Sequence, residues 1–311
     1  MPVVSIVLPT YNGERFIKDS IESVINQTFS DWELIIVNDC STDNTLNIAN
    51  QYAKNDNRIT VVSNEHNMKL PASLNVGFSM AKGKYYTWTS DDNMYKPQAI
   101  EKMVDYLNLN PYCDLVSCSF DHITEECSFI RESRKPNSTS NAIKLVHHCN
   151  VGACFMYRKE IADRVGKYDE RMFCAEDYDY WCRIAICGNI HYQSENLYWY
   201  RDNLQCLTAT KQNIIKQRTM EIRLKYADNI MTKFGLSNEE KIIKFLNYYY
   251  ETHDNRWIKL AYKIDKKLTR KLRFQNYFSS IIKNMFSITN SKDKKHKILT
   301  ILGLKISFKH S

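Results

Sequence analysis

The sequence predicts an α/β fold in which helices cover both faces of a mainly parallel sheet, followed by a basic, mostly helical extension. Over residues 1–120, short apolar runs alternate with segments in which apolar residues recur at helical spacing. Strand and helix alternating in this way form right-handed crossover units and therefore parallel strands. A marked excess of Lys and Arg after residue 210 distinguishes the extension from the rest of the chain.

The predicted elements follow one another in a regular order. Residues 3–8 form a buried strand, and the next helix carries apolar residues at positions 16, 17, 21, 24 and 25. The same unit then recurs. Further strands are predicted at 32–37, 59–62, 85–88, 115–120 and 153–157, with helical patterns after the first three of these and again from Glu176 through Ile184.

Charge divides the chain into two parts. Residues 1–210 carry 20 Lys and Arg against 27 Asp and Glu, whereas residues 211–311 carry 23 against 8. We therefore predict a catalytic-type domain over 1–210 and a basic region over 211–311. A strongly cationic region predicts attraction to anionic lipid, nucleic acid or an acidic polymer, and the alternative is a solvated helical face.

The cysteines and the hydropathy pattern predict the cellular setting. All ten cysteines precede residue 210 and none forms a CxxC pair, which favours reduced thiols in the cytoplasm. No apolar run approaches the roughly 20 residues that span a bilayer. We expect a cytoplasmic protein whose contact with a membrane, where there is one, is peripheral at its inner face.

Polar residues follow three of the predicted parallel strands, at the edge where such sheets bind ligands. The first strand ends in 9–12, the second in 38–43 and the fourth in 90–93.

The adjacent carboxylates Asp91 and Asp92 are the most informative of these residues. Like charges at close range raise each other's pKa, so the pair requires a positive partner. Mg²⁺ or Mn²⁺ held by a carboxylate and phosphate oxygens satisfies that requirement. The alternative is that the pair begins the next helix as N-terminal acids.

Other polar side chains could serve a nucleotide. Asp39 could accept a hydrogen bond from the imide N–H of a base. Tyr11 could stack on a nucleoside or pack within its loop. Asp43 is predicted to begin a helix. Arg201 could bind a phosphate in bidentate fashion or pair with a nearby carboxylate.

Asp177 is the candidate general base. It follows Glu176 at the start of a helix, at the expected mouth of the cleft, and a base needs a carboxylate that can be desolvated and directed at a hydroxyl. Acids at helix starts are common, so the pair could equally be a helix-terminal feature.

Five sequence blocks, taken in order, resemble family 2 glycosyltransferases of the GT-A, Rossmann-like fold, including bacterial members that build surface or spore-coat polysaccharide. The blocks are SIVLPTYN at 5–12, SVINQT at 23–28, VNDCSTD at 37–43, AKGKY at 81–85 and the Asp91–Asp92 pair. The resemblance covers residues 1–210.

This resemblance implies a hexosyltransferase-type, inverting reaction with a nucleoside diphosphate sugar, a UDP-sugar being expected, and with Mn²⁺ or Mg²⁺. It implies that Asp92 binds the metal, that Asp91 contacts the ribose or the metal, and that Asp39 contacts the base. It also implies that Asp177 removes the acceptor proton. The remaining nucleotide-site residues implied by the resemblance are Thr10, Tyr11, Glu14 and Arg201, and the acceptor is bordered by residues 152–154.

The sequence departs from the family pattern at two positions. Thr89 stands where many members have Asp, two residues before the acidic pair. Asn203 stands where many members have His, two residues after the Arg of the loop that closes over the diphosphate. The division of ribose and metal contacts, and the part played by an imidazole, are therefore not carried over.

The expected partners are a nucleotide-sugar donor and a saccharide or lipid-linked acceptor in bacterial surface polysaccharide synthesis, with no nucleic acid. For residues 211–311 we expect an anionic membrane surface, or packing against the first domain or a second copy. A non-catalytic subunit with the same fold is the main alternative. A sugar nucleotidyltransferase and a dinucleotide oxidoreductase are disfavoured, because no glycine-rich phosphate loop follows the first strand.

Overall fold

A computed structural model describes residues 1–133, 141–290, 296–301 and 304–309 of the chain, and the side-chain surroundings of residues 1–133 and 142–275. Two compact units are present, Met1–Phe234 and Gly235–Ser311. The boundary predicted from the sequence lies near residue 210, whereas the first unit extends to Phe234. The helix that follows residue 210 therefore belongs to the first unit.

The first unit contains one mixed sheet and its flanking helices. Its strands are β1 (Val4–Thr10), β2 (Trp32–Asn38), β3 (Ile59–Ser63), β4 (Tyr85–Trp88), β5 (Met94–Tyr95), β6 (Leu115–Ile123), β7 (Phe129–Ser133), β8 (Phe155–Arg158) and β9 (Ile190–Arg201). Its helices are α1 (Ile17–Ile25), α2 (Thr45–Asn55), α3 (Leu70–Met80), α4 (Ala99–Leu109), α5 (Lys159–Val165), α6 (Glu176–Cys187), α7 (Leu207–Thr210) and α8 (Gln212–Lys233).

The strand order is β3-β2-β1-β4-β8-β6-β9-β5, with β7 paired to β6 at one side. The first four strands run parallel, as predicted. The later strands are mixed: β8 is antiparallel to both β4 and β6, while β6 and β9 are parallel. The predicted α/β class is confirmed, and the predicted parallel pairing holds for β1 to β4 and for β6 with β9.

The central position of β1 explains its composition. Every residue of β1 is buried, because helices cover both faces of the sheet. Its apolar side chains pack into a core with α1 and α4, and burial of each such side chain contributes about 1.5–3 kcal/mol. On the other face, α3 approaches so closely that a Cβ on Gly77 would lie 2.4 Å from Val7 Cγ1.

The second unit contains helices α9 (Asn238–Thr252), α10 (Asn255–Ile264) and α11 (Lys266–Met285), and strands β10 (Phe286–Asn290), β11 (His296–Ile301) and β12 (Leu304–Lys309). A capping box between Ser237 and Glu240 begins α9. Trp257 is buried against Phe245 and Tyr248 at ring-centre distances of 5.8 and 4.8 Å. The three strands form an antiparallel sheet.

Within the described residues, no helix is both long and apolar enough to cross a bilayer.

Candidate functional site

The carboxyl ends of β1, β2 and β4 meet at one edge of the sheet. Thr10 is in register with Asn38 of β2, and Val7 with Trp88 of β4. The three polar loops that follow these strands are therefore neighbours, as the sequence predicts.

The loops after β1 and β2 are joined by hydrogen bonds. Asn12, with a left-handed φ of 54°, accepts from the Thr42 N–H at 2.8 Å. The Glu14 carboxylate accepts from the Asn44 N–H at 2.8 Å. Asp43 accepts from the backbone and the hydroxyl of Thr45, the first residue of α2, as the helix-starting role predicts. The predicted site residue Glu14 therefore lies in this loop pair and fixes its shape.

Asp39 is buried at the end of β2 and its own N–H donates to Thr10 O at 2.8 Å. Its carboxylate accepts from Asn64 Nδ2 and from the backbone N–H groups of Met68 and Lys69, each at 2.8 Å. A carboxylate has about four acceptor positions. The described residues use three of them, so one remains for the N–H of a ligand.

Tyr11 lies next to these groups with 48% of its surface exposed. A ring this accessible at the edge of the sheet could stack on a flat ligand, because aromatic faces pack well against other rings.

Asp91 lies directly against the end of β1. Its Oδ2 accepts from Thr10 Oγ1 at 2.5 Å. Burial, and next the charge of Asp92, raise the pKa of Asp91 to about 7, although the Thr10 hydroxyl and the Tyr11 N–H act in the opposite direction. The carboxylate is thus ionised less readily than an ordinary aspartate near neutral pH.

Gly13 is a site residue that the sequence analysis did not single out. A Cβ at this position would lie 2.3 Å from Asp91 Oδ2 and 2.8 Å from Thr10 Oγ1. No real Cβ approaches oxygen so closely, so glycine is required where the loop passes the carboxylate. The signal available was a single glycine just beyond the first strand.

The Asp92 carboxyl group is also shielded from solvent, and this burial raises its pKa. Asn203 Nδ2 lies 3.4 Å from Asp92 Oδ2, and the charge of Arg201 also favours the ionised form. Asn203 is therefore placed beside the predicted metal ligand, although the sequence analysis noted it only as a departure from the family pattern.

Arg201 is buried and each of its three guanidinium nitrogens donates to a protein atom. Nε donates to the carbonyl of Asp92 at 2.8 Å, and Nη2 to Asp19 Oδ2 at 2.8 Å. Nη1 donates to the carbonyl of Glu125. Of the two roles considered for Arg201, pairing with a carboxylate is the one seen here.

Thr89, which stands where many family members have Asp, has a buried hydrogen-bonding partner. Its side chain is buried and its hydroxyl lies 2.6 Å from the hydroxyl of Tyr198 on β9. An aspartate at this position would place a third carboxyl in the interior beside Asp91 and Asp92, where ionisation is already disfavoured.

Asp177 is the second residue of α6. Its Oδ1 accepts from the Tyr178 N–H at 2.6 Å, and its Oδ2 lies 3.9 Å from Cys149 Sγ. Burial raises the pKa of Asp177. Its charge acts on Tyr168, whose hydroxyl accepts from Trp88 Nε1 at 3.2 Å at the end of β4. Asp177 is therefore related to the end of β4 by a charge effect on Tyr168 and by the Trp88–Tyr168 hydrogen bond.

Glu176 is buried beside Asp177, and its Oε2 has no hydrogen-bond partner among the described residues. Burial, and next the charge of Asp177, raise the pKa of Glu176 to about 8. Burial and mutual repulsion therefore favour a pair that holds at least one proton near neutral pH.

The donor chemistry of the site fits a divalent cation that also binds a ligand. In the described part of the chain, no group of three or more His, Cys, Asp or Glu side chains could hold a metal ion alone. Asp91 and Asp92 nevertheless have raised pKa values that a nearby cation would lower. Mg²⁺ is commonly held by one or two carboxylates and completed by phosphate oxygens.

The structure brings Thr10, Asp91 and Asp39 together through direct hydrogen bonds, with Arg201 bound to the backbone of Asp92. Glu14 joins the group through the loop after β2. Asp177 lies on a different element and is related to them only through Tyr168 and Trp88 in the contacts described above.

The sequence matches the family model "Glycosyl transferase family 2" over residues 5–166. An uncharacterized glycosyltransferase of Haemophilus influenzae is 29% identical over 273 residues, covering 83% of this chain and 84% of the relative. The putative glycosyltransferase EpsE of Bacillus subtilis is 33% identical over 208 residues, which cover 65% of this chain and 74% of EpsE. The putative teichuronic acid biosynthesis glycosyltransferase TuaG of Bacillus subtilis is 39% identical over 106 residues, which cover 34% of this chain and 42% of TuaG.

Solved structures share the fold. The crystal structure of S. aureus TarS 1–349 in complex with UDP-GlcNAc superposes with a TM-score of 0.59 at 16% identity, covering 100% of this chain and 99% of the TarS 1–349 chain. The same TarS fragment is also known in complex with UDP. The crystal structure of GalNAc-T7 with UDP, GalNAc and Mn²⁺ has a TM-score of 0.54 at 15% identity, and the match covers 66% of this chain and 45% of the GalNAc-T7 chain.

A Gly13→Ala substitution is expected to displace Asp91, because the new Cβ overlaps its carboxylate. We expect a loss of about 1–3 kcal/mol in unfolding free energy and a loss of affinity for UDP with Mn²⁺, measured by denaturant unfolding and calorimetric titration. Gly77→Ala is the matched control, since its Cβ overlaps Val7 away from the loops. Equal UDP affinity in the two variants would contradict the role of Gly13.

Glu176→Gln is expected to stabilise the protein increasingly as pH rises. The pKa of Glu176 is raised on folding, so its contribution is fully present below about 4.5 and decreases as pH rises towards about 8. The wild type should lose up to about 1.4 kcal/mol per pH unit relative to Glu176→Gln in that window. Urea unfolding at pH 5 and pH 8 measures this difference. Glu160→Gln, at an exposed position on α5, should show no such pH dependence.

Proposed function

The chain belongs to glycosyltransferase family 2, and from that premise we propose that it transfers a hexose-type sugar from a UDP-sugar to a saccharide or lipid-linked acceptor with inversion of configuration. The observation that carries the proposal is the Asp91–Asp92 pair at the carboxyl end of the sheet, within one hydrogen bond of Thr10. We propose bacterial surface polysaccharide synthesis as the setting, in line with the name of the relative TuaG, a putative teichuronic acid biosynthesis glycosyltransferase.

The nucleoside would bind at the ends of β1 and β2. The free acceptor position of Asp39 suits the imide N–H of uracil, and the exposed Tyr11 ring suits stacking on the base. Glu14 and Thr10 would shape the pocket from the first loop. UDP-bound neighbours of the same fold support the choice of base.

Asp92, with Asp91 beside it, would hold Mg²⁺ or Mn²⁺ together with the diphosphate of the donor. When bound, the cation supplies neutralisation of the negative charge on the leaving diphosphate. Arg201 would act indirectly, because it binds the Asp92 carbonyl and so fixes the position of the loop that carries Asp91 and Asp92.

Asp177 would take the proton of the acceptor hydroxyl. As the acceptor oxygen forms its bond to the anomeric carbon, its O–H proton passes to the Asp177 carboxylate. The bond between the anomeric carbon and the phosphate oxygen breaks, and the diphosphate leaves with that electron pair. A single displacement of this kind inverts the anomeric carbon. Because few donors contact Asp177, the carboxylate is suited to proton uptake.

The second unit is proposed to contact an anionic membrane at the inner face. Residues 235–311 carry 17 Lys and Arg against 6 Asp and Glu. On α11 the exposed residues Lys267, Arg270, Lys271 and Phe274 recur at the spacing of one helical face. Basic side chains with an exposed aromatic ring are typical of helices that lie on membrane surfaces. The side chains of residues 298–309 lie outside those the structure describes.

The reaction class is tested by release of nucleoside diphosphate from UDP-, GDP- and dTDP-sugars with Mn²⁺, Mg²⁺ or EDTA. We expect metal-dependent turnover of a UDP-sugar and a loss of about 100-fold or more in Asp92→Asn, since several kcal/mol of charge stabilisation are removed. Asp105→Asn, an exposed carboxylate on α4, is the matched control and should retain wild-type rates.

Two outcomes of that assay would contradict the proposal. Turnover that is insensitive to both EDTA and Asp92→Asn would exclude the metal assignment. Failure to turn over any donor, together with failure to bind UDP in a calorimetric titration, would favour a non-catalytic subunit.

Membrane contact is tested by sedimentation with vesicles that contain anionic phospholipid or only phosphatidylcholine, at physiological salt. We expect binding to the anionic vesicles, and a loss of about 10-fold or more when Lys267, Arg270 and Lys271 are changed to Gln, because each contributes about 1 kcal/mol. Changing Lys18, Lys54 and Lys82 of the first unit is the matched control. Equal binding to both kinds of vesicle would contradict the proposal.

A further inference from the structure

The carboxylate of Asp177 has an unusual set of contacts for a candidate base. Among the described residues, Oδ1 accepts from the N–H of the following residue, Tyr178, at 2.6 Å. The side chain directed at Oδ2 is the thiol of Cys149, with Sγ at 3.9 Å. Cys149 lies in the segment between a 3₁₀ turn, Asn141–Val146, and β8.

In the part of the chain that the structure describes, the groups found to act electrostatically with Asp177 are acidic or neutral. Glu176 and Cys182 lie on α6 itself, and Tyr168 lies between α5 and α6. Burial raises the pKa of each of these three groups, so each is favoured in its protonated, neutral form near neutral pH. The thiol of Cys149 is therefore the side-chain donor that contacts this carboxylate in the described part of the chain.

A thiol has a particular effect on a carboxylate. It is a weak hydrogen-bond donor, whereas hydroxyl and ammonium donors form stronger, charge-assisted bonds to ionised oxygen. Hydrogen bonds to the charged form lower the pKa of a carboxyl group. A weak donor can orient Oδ2 while leaving most of its affinity for a proton intact.

We infer that Cys149 is a positioning residue for the transfer reaction, which holds the Asp177 carboxylate in place for the acceptor hydroxyl through its thiol. The inference rests on the proposed role of Asp177 as the group that takes up the acceptor proton. It adds a specific partner for that group, contributed by a segment of the chain 28 residues earlier. Cys149 is half-buried, so its thiol remains reachable by small reagents.

The contact itself is tested without turnover. The rate at which a small methanethiosulfonate reagent labels Cys149 is followed by mass spectrometry in the wild type and in Asp177→Asn. A neighbouring carboxylate disfavours the thiolate that reacts, so labelling should be about threefold or more faster in Asp177→Asn. The exposed Cys187 provides an internal reference whose rate should not change. Equal rates for Cys149 in the two proteins would overturn the inference.

The functional part is tested by pH–rate profiles of transfer for Cys149→Ala and Cys149→Ser. Loss of the donor in Cys149→Ala should move the acid limb to higher pH and lower kcat severalfold, with UDP affinity unchanged. Cys149→Ser keeps a donor and should bring the acid limb back to the wild-type position or below it. Acid limbs that coincide in all three proteins, or that move equally in both variants, would overturn the inference.

Reagent sensitivity separates this inference from the proposed function. Labelling should abolish transfer in the wild type and in Cys187→Ala but leave Cys149→Ala at its own rate. Transfer that survives full labelling of Cys149 would overturn the inference while leaving the glycosyltransferase assignment intact. A wild type without turnover of any donor would count against the proposed function, and the labelling comparison with Asp177→Asn would still decide the contact.

Discussion

The placement of two adjacent carboxyl groups at the buried end of β4 is the constraint on which the rest of the site depends. Asp91 and Asp92 are ionised reluctantly, because burial and mutual repulsion raise the pKa of Asp91 to about 7. The surrounding chain positions them without neutralising them. Thr10 donates one hydroxyl, Gly13 omits the Cβ that would overlap Asp91, and Arg201 binds the Asp92 carbonyl in place of its carboxylate. On the proposed assignment, a bound cation would supply the remaining positive charge.

The same physical condition, burial of a carboxyl group with few donors, has a different chemical consequence at α6. Around Asp177 the neighbouring titratable groups are neutral in their favoured forms, and Oδ2 faces a thiol. Burial and the charge of Asp177 raise the pKa of Glu176, so this pair favours holding a proton. On the proposed assignment, one buried carboxylate pair is completed by a cation and the other by a proton. Burial raises the pKa in both places, and the partners decide the function.

The parts of the fold that could be predicted from the sequence are those determined locally. Strands β1 to β4 lie within a residue or two of the predicted runs, because each reads as a short, mainly apolar segment. Strands β1, β2 and β4 are almost wholly buried, whereas the edge strand β3 is buried only at Ile59. The antiparallel placement of β8 between β4 and β6 depends on contacts between distant segments, which periodicity does not report. In the site, the sequence indicated which loops carry ligand-binding side chains. It could not indicate that Asn64 would reach Asp39, or Cys149 reach Asp177, because those pairs form only after the crossovers have been packed.

Arg201 illustrates why position in sequence alone leaves a role undecided. An arginine at the end of a strand beside a nucleotide site suits a phosphate, and it suits a carboxylate equally well. The structure gives it partners from three separate segments: Asp19 on α1, the Asp92 carbonyl, and the Glu125 carbonyl in the turn between β6 and β7. With 1% of its side chain exposed, Arg201 binds these segments to one another. Its effect on a diphosphate would be transmitted through the Asp92 backbone, so the donor site depends on completion of β9, the last strand of the main sheet to be added along the chain.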